Sequence, residues 1–368
     1  MHILIDLRLL TKGGATGIEE YTTQLVGHLL TLDQKNKYTL FYNGLRKAPL
    51  PREWLERSNT SLVDRHIPNK LFDLLNRFNL PKLDAIAKSD AIFSPHFNII
   101  SRDSEIPHVM TFHDLSFIHH PEFFPMRKKF WHWLQKYQDR AKRASRIIAV
   151  SEFTKWDLVE CLSIKPEKIV TIYSGIQNEL KPMPRKSQGR PFMLYLGAIE
   201  PRKNVSAAIR AFNILKTSSK FRDWQFVIAG NFGWLYQDVL KESEQSPYRD
   251  DIRFIGKIHP SDRVFIYNLA ELFIYPSFFE GFGFPPLEAQ ACGIPVVASD
   301  RTSLPEILGD SALLVNPWKI DDIVSAAQSI VFNPGERERL ISAGFENVKR
   351  FNWVKTASKT LEVLTATR

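Results

Sequence analysis

Residues 272–299 read LFIYPSFFEGFGFPPLEAQACGIPVVAS, and this stretch decides the fold. Its first six residues are an apolar run rich in aromatic and branched side chains, the mark of a buried strand, and IPVVASD at 294–300 is a second such run. Between them Glu280 and Glu288, separated by seven residues, bracket Gly281, Gly283, Pro285 and Pro286. The glycines let backbone N–H groups approach a ligand with no Cβ in the way. The prolines suit the start of a helix that would carry Glu288 in its first turn. Strand, glycine corner, helix, strand is the repeating unit of a parallel sheet. Such a corner can hydrogen-bond several hydroxyl groups at once. For either carboxylate taken singly, the alternative is a helix start with an acid placed to match its dipole.

The alternation extends outward in both directions. FMLYLG, WQFVIAG and IRFIG precede the stretch and ALLVNP follows it, with segments of helical period beginning near Asn204, Trp234, Pro260, Pro285 and Asp321. An earlier series holds HILIDL, YTLFYN, SLVDRHI, AIFSP, HVMTFHD, RIIAVS and KIVTIYS. Ile18, Tyr21, Leu25, Leu29 and Leu32 share one face of an expected helix at 17–32, and 127–144 reads as one further helix with an aromatic face. The pattern breaks at 177–191, QNELKPMPRKSQGRP, where three prolines and four cations interrupt any apolar period. The expected organisation is therefore α/β, with domains at 1–180 and 181–350. Residues 351–368 form a helix that could cross back to the first domain.

A chain of 368 residues supplies two domains with a core each, and 44% hydrophobic against 24% charged residues excludes a disordered or fibrous chain. The net charge of +9 is spread almost evenly over the two halves, except that 125–146 holds eight cations and the single acid Asp139. Cys161 and Cys292 stand far apart with no metal-ligand spacing, and Asp6 and Arg8 interrupt the apolar amino end, so a reducing cytoplasm is the expected compartment. No apolar run reaches the ~18 residues of a spanning helix.

Ligands of open α/β sheets bind beyond the carboxyl ends of the strands, so motifs there come first. Arg202 and Lys203 follow a strand and precede a helix in LYLGAIEPRKN. Adjacent cations at a helix start suit a diphosphate, and a solvated turn is the alternative. KGGATGIEEY places Gly13, Gly14 and Gly17 in a strand-to-helix turn whose spacing is neither G-x-G-x-x-G nor a P-loop. His113 follows the strand HVMTF and is either a structural partner of Asp114 or a group turned towards a reacting centre, while His119 and His120 read as loop residues. No D-x-D pair occurs to hold a divalent metal on a nucleotide diphosphate, so no metal and no cofactor are expected. The run PMRKKFWHWLQKYQDRAKRASR interleaves Phe130, Trp131, Trp133 and Tyr137 with cations. That composition fits a helix lying on an anionic membrane, or equally a domain helix with a solvated basic face. Nucleic acid is not the expected partner.

On EGFGFPPLEAQACGIPVVAS, the His-Asp at 113–114, YLGAIEPRKN and the S-x-P-E at 303–306, the chain resembles the retaining glycosyltransferases of family 4 over nearly its full length. The resemblance implies a GT-B fold, two Rossmann-like domains facing each other across a cleft. It implies a nucleotide-sugar donor held by Gly14, Gly197, Arg202, Lys203, Glu280, Gly281, Phe282, Gly283, Phe284 and Glu288. Glu288 would bind the ribose, and Glu280 with the 282–284 amides would hold the sugar hydroxyls. His113, Arg202, Lys203 and Glu280 would act at the bond that breaks. Segments FHDLSFIHHPEFF and EGFGFPPLEA are most similar to bacterial enzymes that use GDP-mannose to build O-antigen or exopolysaccharide on a glycan or lipid-linked acceptor. The alternatives are a UDP-sugar donor and a non-catalytic nucleotide-sugar-binding scaffold.

Overall fold

The computed structural model describes residues 1–12, 16–44, 50–184 and 189–366, and Gly14 lies outside them. The chain forms two compact units, one of Met1–Leu115, Met126–Gly175 and Asn352–Arg368, the other of Ser116–Pro125 and Ile176–Phe351. Packing rather than chain order assigns two segments: 116–125 belongs to the second unit and the helix Trp353–Thr365 to the first.

In the first unit, seven parallel strands are β1 (His2–Asp6), β2 (Lys37–Asn43), β3 (Thr60–Arg65), β4 (Ala91–Ser94), β5 (His108–Phe112), β6 (Arg146–Ala149) and β7 (Ile169–Thr171). They lie in the order β3-β2-β1-β4-β5-β6-β7. Each overlaps a run expected to be a strand, β2 and β3 starting one residue earlier. The order reverses between β1 and β4, which pair through Ile3–Ala91, Leu4–Ile92 and Ile5–Phe93. On one face Leu4, Phe41, Phe72, Leu83, Ile92 and Ile100 form a buried cluster.

Helix α1 (Gly17–Leu32) starts at a capping box in which the Thr16 hydroxyl accepts from the Glu19 amide and the Glu19 carboxylate accepts from the Thr16 amide. Its apolar face buries Tyr21, Leu25, Val26 and Leu29. The C-terminal helix (Trp353–Thr365) packs on α1, its Trp353 ring 5.9 Å from Tyr21, and the Thr356 hydroxyl donates to the Tyr173 carbonyl at 2.8 Å. α2 spans Asn69–Arg77. The single helix expected at 127–144 is two, α3 (Met126–Leu134) and α4 (Tyr137–Arg143), because Lys136 takes a left-handed φ of 47°. The break leaves Gln135 buried, its carbonyl oxygen accepting from the Ile99 amide at 2.6 Å and its amide donating to Asp73 at 3.2 Å. Periodicity is blind to such a break, since the residues on either side remain helical.

The second unit holds six parallel strands, β8 (Phe192–Leu196), β9 (Gln225–Ala229), β10 (Ile252–Gly256), β11 (Leu272–Tyr275), β12 (Val296–Ser299) and β13 (Leu313–Val315), in the order β10-β9-β8-β11-β12-β13. The order reverses between β8 and β11. The helices that place the site are α5 (Val205–Leu215), α6 (Arg263–Leu269), α7 (Phe284–Ala291) and α8 (Leu304–Leu308). The helix expected from Trp234 begins at Gln237, and Glu288 sits in the second turn of α7, not its first.

Gly175 abuts the start of the C-terminal helix so closely that a Cβ there would lie 2.3 Å from the Trp353 backbone nitrogen. Backbone cannot rotate away as a side-chain end can. Gly175→Ala should therefore destabilise the protein by about 1–3 kcal/mol, read as a fall in the urea midpoint, and an unchanged midpoint would show that this approach is not needed.

Candidate active site

β8 and β11 are neighbours at the reversal of the second sheet, the place where open α/β sheets bind their ligands, beyond the carboxyl ends of the strands and among the loops that leave them. Gly197 begins the first loop, its amide donating to the Ala229 carbonyl at 2.9 Å. The loop passes so close to the end of β9 that a Cβ on Gly230, which has φ +144°, would lie 1.9 Å from the Gly197 carbonyl oxygen. A short 3-10 turn (Pro201–Lys203) then places Arg202 and Lys203 ahead of α5. Asn204 fixes this turn by donating to the carbonyls of Pro276 and Pro317.

The second loop brings Glu280 to these cations. Lys203 Nζ donates to Glu280 Oε1 at 2.6 Å and to the Tyr275 hydroxyl at 2.8 Å. Arg202 reaches Glu280 Oε2 at 3.4 Å, the Phe279 carbonyl at 2.8 Å and Glu200 Oε1 at 3.1 Å. The Ser277 hydroxyl lies 2.6 Å from Glu280 Oε1. The Glu280 amide donates to Thr302 Oγ1 at 2.9 Å, and the Ser303 hydroxyl donates to the Glu280 carbonyl at 2.9 Å. The trailing S-x-P-E motif thus has a mechanical role, because its serine holds the backbone that aims Glu280.

Burial pushes the Glu280 carboxyl up, yet the charges of Lys203 and Arg202 outweigh it and hold the group below the ordinary carboxylate range. Burial, aided by Arg202, pulls the Lys203 ammonium down. Oε1 of Glu280 receives the short contacts from Lys203 and Ser277, whereas the Arg202 contact to Oε2 is longer, at 3.4 Å. Both cations are engaged with carboxylates, and Glu200, Arg202, Lys203 and Glu280 sum to no net charge.

Gly281 and Gly283 carry the loop into α7. Gly283 has φ +98°, a backbone conformation that favours glycine, and a Cβ there would also press on Leu304 Cδ2 at 2.6 Å. Pro285 and Pro286 have no N–H to leave unpaired in the first turn of α7. The amides of Phe282 and Gly283 donate to no protein acceptor among the described residues. The Phe282 ring is buried against Phe284 and Phe351, so this residue can serve a ligand only through its backbone. Glu288 does not join Glu280. Its Oε1 accepts from Arg263 at 2.9 Å and its Oε2 from the Tyr267 hydroxyl at 2.7 Å, both on α6. Sequence reading missed Arg263 and Tyr267, as it missed Ser277 and Thr302. The spacing of the first two, one helical turn apart, was a usable signal only with their partner known. His119 and His120 are more than loop residues: their rings lie 5.2 and 5.9 Å from Phe279, in the same unit.

His113 lies in the first unit, after β5. Its Nε2–H donates to the Pro95 carbonyl at 2.9 Å, which leaves Nδ1 as the unprotonated nitrogen, and the Tyr21 ring meets it edge-on at 4.7 Å. Nearby, at the β1/β4 reversal, stands a cluster unforeseen from sequence. Arg8 binds Asp6 at 2.6 Å and Asp73 at 3.1 Å, and His96 Nε2 is 3.6 Å from Asp6. His96 Nδ1 accepts from the Asn98 amide, which puts the proton of the neutral ring on Nε2, facing Asp6. Burial drives His96 down to about 4 against the pull of Asp6, and burial likewise lowers His113 and His108.

Parallel doubly wound sheets in both units, with an ion cluster at the reversal of the second, define a GT-B protein. Residues 176–347 match the family described as Glycosyl transferases group 1, and residues 15–180 match Glycosyltransferase Family 4. The chain belongs to this glycosyltransferase family. It is 29% identical to O-antigen chain mannosyltransferase B of Escherichia coli over 94% of this chain and 95% of the relative. It is 26% identical to O-antigen chain mannosyltransferase RfbU of Salmonella typhimurium over 67% of this chain and 68% of the relative. The structure of sucrose-phosphate synthase from Thermosynechococcus elongatus matches with a TM-score of 0.77 at 20% identity, over 99% of this chain and 98% of that one, a likeness of fold alone.

His96, His108 and His113, together with His132, which burial also pulls down to about 4, give the first unit a defined pH response. An unfolded histidine titrates near ~6.5, so as pH falls below that value the unfolded chain binds protons that the native one refuses, and stability present above it is lost. The melting temperature should be lower near pH 5 than near pH 7, and His96→Gln should flatten the difference. Equal melting temperatures at the two pH values would contradict the neutral state of these rings.

Proposed function

We propose that the chain is a retaining mannosyltransferase that moves mannose from GDP-mannose to a glycan or lipid-linked acceptor in bacterial surface polysaccharide synthesis. One observation carries the reading of the site, the neutral cluster of Glu200, Arg202, Lys203 and Glu280 at the β8/β11 reversal. Donor diphosphate would take over Arg202 from its long 3.4 Å contact with Glu280 Oε2, freeing that oxygen for a sugar hydroxyl while Lys203 keeps Oε1 in place. The Phe282 and Gly283 amides supply further donors. Glu288, oriented by Arg263 and Tyr267, would accept from the ribose hydroxyls through its remaining lone pairs.

In the transfer itself, the acceptor oxygen bonds to the anomeric carbon as the bond to the diphosphate breaks, and the departing phosphate oxygen takes the acceptor proton on the same face. Preorganised cations then supply the largest protein contribution. Mannose and the surface polysaccharide follow the two bacterial relatives named above. A lipid-linked acceptor suits the basic, aromatic composition of the 125–146 segment, which fits contact with an anionic membrane.

Arg202→Ala combined with Lys203→Ala should lower kcat at least about 10²-fold, measured as nucleoside diphosphate released on sugar transfer; near-normal turnover would remove these residues from the site. Because protein cations carry the leaving charge, activity should survive EDTA, and strict dependence on added manganese or magnesium would refute that. GDP should raise the melting temperature more than UDP, ADP or dTDP. Preference for UDP would transfer the assignment to a UDP-sugar donor. Wild-type protein that binds nucleotide yet neither transfers nor hydrolyses the donor would be the non-catalytic scaffold.

A further inference from the structure

α2 and α3 both turn apolar side chains away from the first unit, and the two helices touch. On α2, Phe72, Asp73 and Asn76 face inward, while Leu71 is 47% and Leu74 45% exposed, and Phe78 just beyond the helix is 70% exposed. Positions 71, 74 and 78 share one helical face. On α3, Met126, Phe130 and Trp133 repeat at intervals of four and three, and they are 76%, 62% and 59% exposed. Arg77 joins the helices, its guanidinium 4.3 Å over the Trp133 ring and its Nη1 3.4 Å from the Leu134 carbonyl. Scattered exposed apolar residues are ordinary, whereas two adjoining helices each with an outward apolar stripe are a surface built for contact.

The charges decide what covers it. Lys70 on α2, Arg127, Lys128 and Lys129 on α3, and Lys136 between α3 and α4 flank the stripes. The acids of these segments are Asp73, buried against Arg8, and Asp139. Arg140 is withdrawn from the basic run, since it turns inward to the Ile100 carbonyl at 2.5 Å. A second copy of the chain docking by two-fold symmetry would set these cations against their own images. An anionic bilayer meets both demands, phosphate headgroups for the cations and acyl chains for the leucines and aromatics.

We propose that α2 and α3 together form a membrane-insertion face, with α2, a segment not marked by basic composition, supplying half of the apolar contact. This rests on the reading that the 125–146 segment meets an anionic membrane, and it adds a second helix and an insertion step to what could be surface adsorption alone.

The full chain is sedimented with phosphatidylcholine vesicles containing about 30% phosphatidylglycerol, and with phosphatidylcholine alone. Wild type should partition to the anionic vesicles and retain part of that binding in high salt, which screens charge and spares apolar insertion. Leu74→Gln with Phe78→Gln should weaken partitioning about tenfold or more, with donor hydrolysis unchanged as proof of an intact fold; if the pair fails to fold, Phe78→Asp alone carries the same test. Undiminished binding of these variants would overturn the α2 face while leaving the basic segment as a membrane contact. Failure of wild type to bind would end both. A lipid-free dimer that the α2 substitutions dissociate would overturn the proposal in favour of a second copy.

Discussion

The second unit is organised around one buried carboxylate held between two cations. Removing an ion from water costs several kcal/mol, and the cost is recovered only when partners and hydrogen bonds are complete. For Glu280 they are nearly complete: Lys203 and Ser277 on one oxygen, Arg202 at longer range on the other, with Thr302 and Ser303 holding its amide and carbonyl. Held between two cations, the group stays ionised, and the longest of these contacts is the one to Arg202.

The two units share a plan and differ in what they do with it. Each has a sheet whose strand order reverses next to the first strand, and each places an ion cluster at the carboxyl ends there. In the first unit the Arg8 and Asp6 side chains are 2% and 0% exposed, so that cluster ties strand ends together. In the second, Arg202 retains 15% exposure, so that cluster is less closed than the first and fits the proposed role of a binding site. His113 stands beside the closed cluster with its proton committed to a backbone carbonyl, which fixes the ring's tautomer and orientation.

Strands and their order of succession were legible because a parallel sheet buried on both faces demands continuous branched and aromatic runs, and all thirteen fall where such runs stand. Breaks within elements were less legible. Nothing in the period of 127–144 marks Lys136 as left-handed, since the reason lies in Gln135 reaching Ile99 and Asp73 far from it in sequence. The glycine corner was readable because Gly281, Gly283, Pro285 and Pro286 act locally, through backbone geometry.

Composition and spacing by themselves determined the α/β class, the corner between Glu280 and Glu288, and the nearness of Arg202 and Lys203 to a strand end, because each depends on residues adjacent in the chain. Tertiary structure alone decided that Lys203 neutralises Glu280 across 77 residues, that Arg263 and Tyr267 hold Glu288, and that α2 joins α3 in one exposed face. Those pairings are set by which strand lies beside which, and a parallel sheet brings neighbours together from distances that no local pattern records.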